Sequence, residues 1–507
     1  MRPAATRVRD TAALFSLALA VRAAVRLVSG FDGLYGQDPF AYLGYAVRLH
    51  DALLAFQPPP PFFWPIGYPL LAALAMLVVG PHAAAAQLVS VLAGAAVAPL
   101  VYLLVREVDE NARAGALLAG AAAAVGAQLL LSSVSVMSDA CGLAWVVLSA
   151  LAMARFARRC EARWLAAAAL ALALAVLTRW VYALAALPWA VAAVLAWRQA
   201  RVRLARAVAA AALAVGLGAA VLGGQFVWHA RGAGPSHAGD LQVVRWDPAN
   251  AVRATVRNSD GVFRYRYPIG LFYALPALHP AFLFPLLAPF LLLGVAALRT
   301  VPRPIALLLA GWLATVWVFL AGIAWENPRF SLALLAPLLC LLGLGGERAL
   351  RWRPARGARA AVAGVCALGL AGMLAWAIRD LRALVAAKDA SVAVSRWAAA
   401  ALPPGATLLT FGLTETAAYY TSVDAVELYN ETPATLPRRA CGPRRAYLLL
   451  DEAAVATQWA GLAPHVNFLW LREHAGLERI GQRGGYTLWR LGDRCPGTAA
   501  GRGASGP

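Results

Sequence analysis

The chain has 507 residues, of which 61% are hydrophobic and 14% are charged, and its mean hydropathy is +0.64. This composition excludes an ordinary soluble enzyme and indicates a polytopic membrane protein, because no soluble domain of this length needs so much apolar surface. The formal net charge is +20. Most of the excess arginine lies in short clusters between apolar runs, which is typical of cytoplasmic loops and not of a nucleic-acid-binding surface.

The chain begins with a basic segment and an apolar run over about residues 12–28, which we interpret as a retained membrane anchor because no convincing cleavage site follows. A mixed stretch over 30–82 comes next and forms the first outer loop. It contains a predicted amphipathic helix over 39–56 and a proline-rich segment over 57–65. The apolar run over 66–79 is shorter than the roughly 20 residues that a span needs. We therefore predict a juxtamembrane or re-entrant helix there.

Ten further apolar runs follow, and arginine-rich linkers separate most of them. These linkers can all be cytoplasmic only if residues 66–79 do not cross the membrane and residues 165–196 cross it twice. The sequence therefore predicts about eleven transmembrane helices, a cytoplasmic N-terminus and an extracytoplasmic C-terminus. The ten runs are 83–105, 114–134, 140–153, 165–178, 181–196, 207–228, 281–298, 305–324, 332–344 and 360–378.

This topology collects four charged residues on the outer face: Asp38, Asp139, Arg179 and Arg329. It also exposes a second large outer loop over 230–279, which is rich in charged and aromatic side chains. Such residues suit sugar binding, but they suit any interfacial loop equally well.

The polar C-terminal part over 388–495 predicts a separate extracytoplasmic α/β domain, and the transmembrane part accordingly ends at 387. It has a helix over 390–401 and strands over 407–411, 446–450 and 486–490. Because that compartment is oxidising, a disulfide between Cys441 and Cys495 is expected. Residues 496–507 are expected to form a disordered tail, and no cysteine or histidine cluster has metal-ligand spacing.

Several short segments, in a fixed order along nearly the whole chain, have a familiar arrangement. They are Asp38, Trp64-Pro65-Ile66-Gly67-Tyr68-Pro69, Ser138-Asp139, Leu177-Thr178-Arg179, Asn327-Pro328-Arg329-Phe330, Leu402-Pro403-Pro404-Gly405-Ala406 and Ala418-Tyr419-Tyr420. Together they resemble the GT-C superfamily of polyprenyl-phosphate-sugar-dependent glycosyltransferases, most closely glycosyltransferase family 39. That family includes protein O-mannosyltransferases and the aminoarabinose transferases that modify lipid A.

The resemblance implies an inverting transfer of a sugar from a polyprenyl-phosphate donor to an extracytoplasmic hydroxyl of a lipid, glycan or protein. Asp38 would be the general base. A capping role is the other interpretation of this residue, because Asp followed by Pro39 is a common helix start. Arg179 and Arg329 would bind the leaving phosphate, although an arginine near a helix end can also simply extend toward the interface.

Asp139 is the second catalytic candidate, which would orient the acceptor or hold a divalent cation, the one possible cofactor. It could instead cap the following helix. Tyr42, Trp64 and Tyr68 are candidate donor-binding residues, or anchors at the membrane interface. The expected location is a bacterial inner membrane, with membrane lipids and no nucleic acid as partners. The alternatives are a transporter or flippase, which would favour inverted repeats, and a non-catalytic cell-envelope assembly protein in which Asp38 is dispensable.

Overall fold

The computed structural model describes residues 2–231, 245–352, 356–440 and 445–492. The chain divides into two compact units. The first contains Met1–Leu34, Ala41–Arg253 and Arg266–Arg382, and the second contains Tyr35–Phe40, Ala254–Tyr265 and Ala383–Pro507. The second unit therefore draws on three stretches that are far apart in sequence.

The first unit consists of helices, most of them rich in alanine and leucine, which favour helix in water and in lipid. Two of the helices follow directly on short 3₁₀ turns, over Trp180–Ala185 and Pro328–Ser331. The helices are α1 (Arg2–Ser29), α2 (Asp38–Leu54), α3 (Gly67–Val79), α4 (Ala83–Val108), α5 (Arg113–Val125), α6 (Ala127–Val134), α7 (Asp139–Arg159), α8 (Ala162–Thr178), α9 (Ala186–Gln199), α10 (Leu204–Arg231), α11 (Ile269–Phe272), α12 (Ala288–Ala297), α13 (Arg303–Gly322), α14 (Leu332–Trp352) and α15 (Arg356–Ala401), the last of which continues into the second unit.

Among the described residues, eight helices are long and apolar enough to cross a membrane, or nine if the bent pair α5 and α6 counts as one span. The protein is therefore a multi-pass membrane protein. Three more apolar helices are shorter, over Gly67–Val79, Ala162–Thr178 and Pro285–Thr300. The predicted total of eleven transmembrane helices counts Ala162–Thr178 and Pro285–Thr300 as spans and excludes Gly67–Val79. This total stays a prediction, because helix length alone does not decide whether a helix crosses the membrane.

Helices α5 and α6 meet at an angle of 50° around Gly126. Arg22 on α1 lies against this break and is completely buried. Its guanidinium donates hydrogen bonds to the Ala18 carbonyl oxygen at 2.9 Å and to the Ala124 carbonyl oxygen at 3.2 Å. Since a helix break removes the regular backbone partners of nearby carbonyl groups, Arg22 satisfies one of them and ties α1 to α5.

The second unit is built on a five-stranded mixed sheet with the order β4-β3-β5-β7-β6. Strand β3 (Thr407–Thr410) pairs in parallel with β4 (Asp424–Glu427) and β5 (Ala446–Leu450). Strand β7 (Tyr486–Leu491) pairs antiparallel with β5 and with β6 (Leu477–Arg483). Four short helices complete the unit: α16 (Thr414–Tyr420), α17 (Leu436–Ala440), α18 (Glu452–Thr457) and α19 (Ala463–His474).

Both faces of this sheet are covered, because side chains alternate along a strand. Leu409 and Leu448 point to one face and pack with Leu471 of α19. Leu408 and Leu449 point to the other and pack with Ala398 at the end of α15. A two-stranded hairpin, β1 (Thr255–Asn258) and β2 (Gly261–Arg264), joins the unit through a hydrogen bond from the Val262 amide to the Gln458 carbonyl oxygen at 3.1 Å.

The predicted strands over 407–411, 446–450 and 486–490 correspond to β3, β5 and β7, whereas β4 and β6 were not predicted. The predicted helix over 390–401 is helical and ends at Ala401 as predicted, but it starts much earlier, because it is the end of the unbroken 46-residue helix α15. No proline or glycine interrupts residues 379–389, so nothing local ends the helix there. Cys441 and Cys495 lie outside the described residues.

Candidate active site

Three of the predicted site residues meet within the first unit. The Arg179 guanidinium donates a hydrogen bond to Asp139 Oδ1 at 2.5 Å, and Arg329 Nε lies 3.6 Å from the same oxygen. Both guanidinium carbons also lie 5.8 Å from the centre of the Phe330 ring. One carboxylate and one ring therefore hold two cations side by side.

Each of these side chains is placed by the end of a helix. Asp139 is the first residue of α7, Arg179 directly follows the last residue of α8, and Arg329 lies in the 3₁₀ turn before α14. Asn327 shapes that turn, because its side-chain oxygen accepts a hydrogen bond from the Arg329 amide at 3.0 Å. Helix α3 packs on the same region: a Cβ atom at Gly67 would lie only 2.7 Å from the Leu177 carbonyl oxygen.

The cluster carries a net formal charge of +1, because two arginines face one aspartate. Asp139 is almost completely buried, with 2% of its side chain exposed, whereas Arg179 and Arg329 keep 18% and 25%. A buried carboxylate is stable when cations pair with it. The arrangement therefore leaves two partly accessible guanidinium groups that can bind a phosphate in addition to Asp139.

Asp139 is the first residue inside α7, and the side chain of the N-cap residue Ser138 makes no capping hydrogen bond. Its Oδ2 atom is buried and has no hydrogen-bond partner among the described residues. Those residues also contain no group of three or more His, Cys, Asp or Glu side chains that could hold a metal ion.

Tyr42, Trp64 and Tyr68, the predicted donor-binding aromatics, belong to one ring cluster. The Tyr42 ring centre lies 4.9 Å from that of Trp64 and 5.4 Å from that of Tyr68. Tyr42 also shares a 3.0 Å hydrogen bond with Ser138, the residue before Asp139. Tyr68 is fully buried and hydrogen-bonds to the Ala86 carbonyl oxygen and to Ser90. Trp64 is the member of the cluster that stays most accessible.

Asp38 is the first residue of α2 and precedes Tyr42 by one helical turn. It belongs to the second unit through the short stretch Tyr35–Phe40, whereas Tyr42 and the arginine cluster belong to the first. Asp38 is partly buried, and Pro39 and Phe40 directly after it are buried.

The sequence analysis missed Glu326. The Tyr273 hydroxyl fixes the backbone on both sides of it, by donating to the Trp325 carbonyl oxygen at 2.8 Å and accepting from the Asn327 amide at 3.2 Å. Burial raises the pKa of the Glu326 carboxyl to about 7. Its Oε1 atom has no hydrogen-bond partner among the described residues. The available signal was its position three residues before Arg329, in the same loop between α13 and α14.

An apolar cavity of about 530 Å³ lies between α7, α8, α9 and α10. Its lining reaches Val176, three residues before Arg179, and Ala183, four residues after it. The other end is lined by Leu165 and Trp197. The cavity therefore runs along α8 and ends close in sequence to a cation.

Comparisons with known proteins agree with this architecture. Residues 64–222 match the family model described as dolichyl-phosphate-mannose-protein mannosyltransferase. The chain is similar to the crystal structure of ArnT from Cupriavidus metallidurans bound to undecaprenyl phosphate, with a TM-score of 0.62 and 14% identity over 94% of this chain and 97% of that one. No curated protein matches the chain.

The oligosaccharyltransferase AglB from Archaeoglobus fulgidus, in complex with an inhibitory peptide and a dolichol-phosphate, also matches. Its TM-score is 0.57, with 14% identity over 94% of this chain and 74% of that one. The chain thus has the GT-C glycosyltransferase fold in a multi-pass membrane protein, with a small sheet-containing C-terminal part.

Proposed function

We propose that this protein transfers a sugar from a polyprenyl-phosphate donor to a hydroxyl group outside the cytoplasm, with inversion at the anomeric carbon. The acceptor oxygen attacks that carbon, and the carbon–oxygen bond to the phosphate breaks with its electron pair going to the phosphate. The acceptor proton goes to a carboxylate. One displacement of this kind inverts the configuration.

The convergence of Arg179 and Arg329 on Asp139 is the observation that carries this proposal. The leaving phosphate gains negative charge as the bond breaks, and prearranged cations lower the free energy of that transition state. Guanidinium groups suit the task because they bind phosphate through two parallel hydrogen bonds. Asp139 positions both groups and prevents them from repelling each other before the donor binds.

The apolar cavity along α8 suits the polyprenyl chain of the donor. A lipid that lies in it would bring its phosphate toward Arg179 at the end of α8. The lipids bound in the two similar structures, undecaprenyl phosphate and dolichol-phosphate, support this donor class.

Asp38 is the proposed general base. Asp38 is partly buried in the first turn of α2, and a carboxylate within reach of an acceptor hydroxyl can remove its proton. Tyr42, one turn further along α2, is hydrogen-bonded to Ser138 beside Asp139, which supports a role for this helix start in the site. We infer that the second unit and the C-terminus are extracytoplasmic and that the membrane is a bacterial inner membrane.

The test uses the full-length protein in lipid nanodiscs and undecaprenyl phosphate as the probe. Native mass spectrometry should detect the bound lipid with the wild-type protein. We expect Arg329→Ala and Arg179→Ala to weaken binding at least tenfold, and Arg329→Lys to weaken it less, because lysine keeps the charge but loses the bidentate geometry.

Arg348→Ala is the matched control, because Arg348 is exposed near the other end of α14. At 1.5 Å per residue, it lies about 24 Å along the helix from Leu332. The control variant should bind as the wild type does. Wild-type affinity in both Arg329→Ala and Arg179→Ala would remove the phosphate site and with it the proposed donor class.

A further inference from the structure

The stretch that carries Asp38 belongs to the second unit, although it lies near the start of the chain. Phe40 anchors it: this side chain is 6% exposed, and its ring centre lies 5.6 Å from that of Tyr419 and 6.2 Å from that of Tyr420. Rings at these distances and tilts attract one another beyond the effect of buried area alone. Phe40 is therefore held by a tyrosine pair that comes almost 380 residues later in the chain.

The two tyrosine rings are held in place by contact with each other and with a lysine. The rings of Tyr419 and Tyr420 lie 4.9 Å apart and nearly perpendicular, at 76°. The ammonium group of Lys388 on α15 lies 5.1 Å from the centre of the Tyr420 ring, a favourable cation–π distance. Both tyrosines end α16, which follows β3 after a short turn and so starts at the central part of the sheet.

The Asp38 stretch is not fixed strongly by its own backbone. Gly36 adopts a φ of +71°, and no atom would lie within 4 Å of a Cβ added there, so the turn before Asp38 has open space around it. The amide groups in the first turn of α2 have no partners within the helix. The contacts of neighbouring residues therefore contribute to the position of Asp38, and Phe40 is two residues away.

We propose that Tyr419 and Tyr420, which belong to the same unit as Asp38, are positioning residues for Asp38. The inference rests on the proposed role of Asp38 as general base. The pair holds the helix start through Phe40, so that the carboxylate stays where an acceptor hydroxyl can reach it. A displacement of about 1 Å at such a position is enough to lower turnover roughly a hundredfold.

Hydrogen exchange measured by mass spectrometry on the full-length protein in nanodiscs tests the physical part without any substrate. We expect Tyr419→Ala and Tyr420→Ala to speed exchange in peptides covering residues 35–42 at least tenfold. Tyr419→Phe and Tyr420→Phe keep the rings and should exchange as the wild type does. Phe40→Leu removes the ring from the other side and should reproduce the effect of the alanine variants.

Tyr429→Ala is the matched control, because Tyr429 is a similarly exposed tyrosine of the same unit and its ring contacts Trp459, not Phe40. It should leave exchange at residues 35–42 unchanged. Hydrogen exchange over residues 446–450 of β5 checks that each variant is folded. A tyrosine variant that exchanges faster there is set aside, and Phe40→Leu is used in its place.

The functional part is measured as undecaprenyl phosphate released from undecaprenyl-phosphate mannose and undecaprenyl-phosphate aminoarabinose in the presence of a cell-envelope extract. We expect the alanine variants to lower kcat at least tenfold with little change in KM for the donor, and the phenylalanine variants to restore it. Unchanged exchange in both alanine variants would overturn the inference, as would faster exchange with unchanged kcat. If the wild-type protein releases no lipid phosphate from either donor, the proposed function fails for these sugars, while exchange still decides whether the pair holds the Asp38 stretch.

Discussion

At the scale of single residues, the site is a compromise between burial and charge. Removing Asp139 from water costs free energy that ion pairs with Arg179 and Arg329 offset only in part. Such clusters are weak contributors to stability compared with apolar packing of the same volume. A buried carboxylate between two cations therefore adds little to stability, which agrees with the proposed phosphate-binding role of the two arginines.

Asp38→Asn separates the catalytic role of Asp38 from its possible capping role. Asparagine has nearly the same size and caps a helix as well as aspartate does, but it has no basicity. We expect normal expression and folding, with sugar transfer lowered on the order of a hundredfold or more, the usual scale for loss of a general base. Transfer assays on purified protein check this.

Asp51→Asn is the control for this substitution, since Asp51 lies on the same helix and its side chain is 67% exposed. It should transfer sugar at the wild-type rate. If Asp38→Asn is fully active while Asp38→Ala merely unfolds more easily, Asp38 is a cap and the catalytic assignment is wrong.

Glu326 gives the site a titrating group in the neutral range. Burial raises its pKa from 4.5 to about 7 in the folded protein, so the folded state favours the protonated form. The associated stability is fully present below about pH 4.5 and is lost as the pH rises through about 7. Glu326→Gln cannot ionise, so its melting temperature relative to the wild type should increase between pH 4.5 and pH 8.

Apparent melting temperatures in detergent, measured at both pH values, test this expectation. Glu473→Gln replaces a glutamate that is 79% exposed and should show no such change with pH. A constant difference between Glu326→Gln and the wild type at every pH would show that the carboxyl group is not destabilised by burial.

The sequence predicted part of this site for a physical reason. Arginine-rich linkers are expected on the cytoplasmic side of the membrane. Counting the crossings between these linkers predicted that Asp139, Arg179 and Arg329 lie on one face. The sequence could not predict that Phe330 contacts both arginines or that Glu326 is partly removed from water. Both features depend on the conformation of a single turn after α13. The buried environment of Tyr68 was equally beyond a pattern that records only its aromatic character.

At the scale of elements, the contact between α3 and α8 sets the position of Arg179. Helix α3 approaches the last turn of α8 so closely that only glycine fits at residue 67, where a Cβ would lie 2.7 Å from the Leu177 carbonyl oxygen and 2.9 Å from Thr178 Oγ1. Small residues allow such approaches between membrane helices. Helix α3 thus supports the end of α8, directly before Arg179, the arginine proposed to bind the phosphate.

Gly67→Ala should therefore separate α3 from α8. We expect a loss of stability of about 1–3 kcal/mol, the usual cost of overpacking, together with weaker binding of undecaprenyl phosphate. Thermal unfolding in detergent and native mass spectrometry measure the two effects.

Gly216→Ala on α10 is the comparison, because no atom lies within 4 Å of a Cβ added there. It should keep or raise stability, since alanine favours helix over glycine by about 1 kcal/mol. Equal behaviour of the two variants would mean that α3 and α8 can move apart freely.

Element boundaries were predictable where composition changes sharply, as at α3 and β5. The break between α5 and α6 was not, because the run over 114–134 is apolar throughout and only Gly126 marks the bend. The edge strands β4 and β6 were missed because their exposed polar residues lack the alternation that identifies half-buried strands.

At the scale of the whole molecule, sequence reasoning reached the fold class but not the assignment of segments to units. Residues 35–40 and 254–265 join the C-terminal unit through pairings over several hundred residues of chain. No local pattern encodes such pairings, since propensity and periodicity describe near neighbours only.

The topology gives a prediction for the complete chain. Reporter fusions after Asn111, Arg163, Arg201 and Arg356 should report a cytoplasmic location, because these positions adjoin arginine-rich linkers. Fusions after Pro235 and Gly405 should report the outside. Paired alkaline phosphatase and fluorescent-protein reporters distinguish the two compartments, and a cytoplasmic signal after Gly405 would contradict an extracytoplasmic second unit.

The buried Arg22 has a consequence for biosynthesis. Arg22 lies seven residues before Ser29, the end of α1. A charged residue within an isolated helix disfavours membrane insertion, by up to about 2.5–3.5 kcal/mol at the helix centre. One of the two carbonyl oxygens that accept from Arg22 belongs to Ala124, 102 residues later. While the ribosome is still producing α2 to α4, the newly made α1 has no such partner. The first helix of this protein should therefore remain weakly committed to the bilayer until α5 emerges, so that a late-arriving segment completes the insertion of the earliest one.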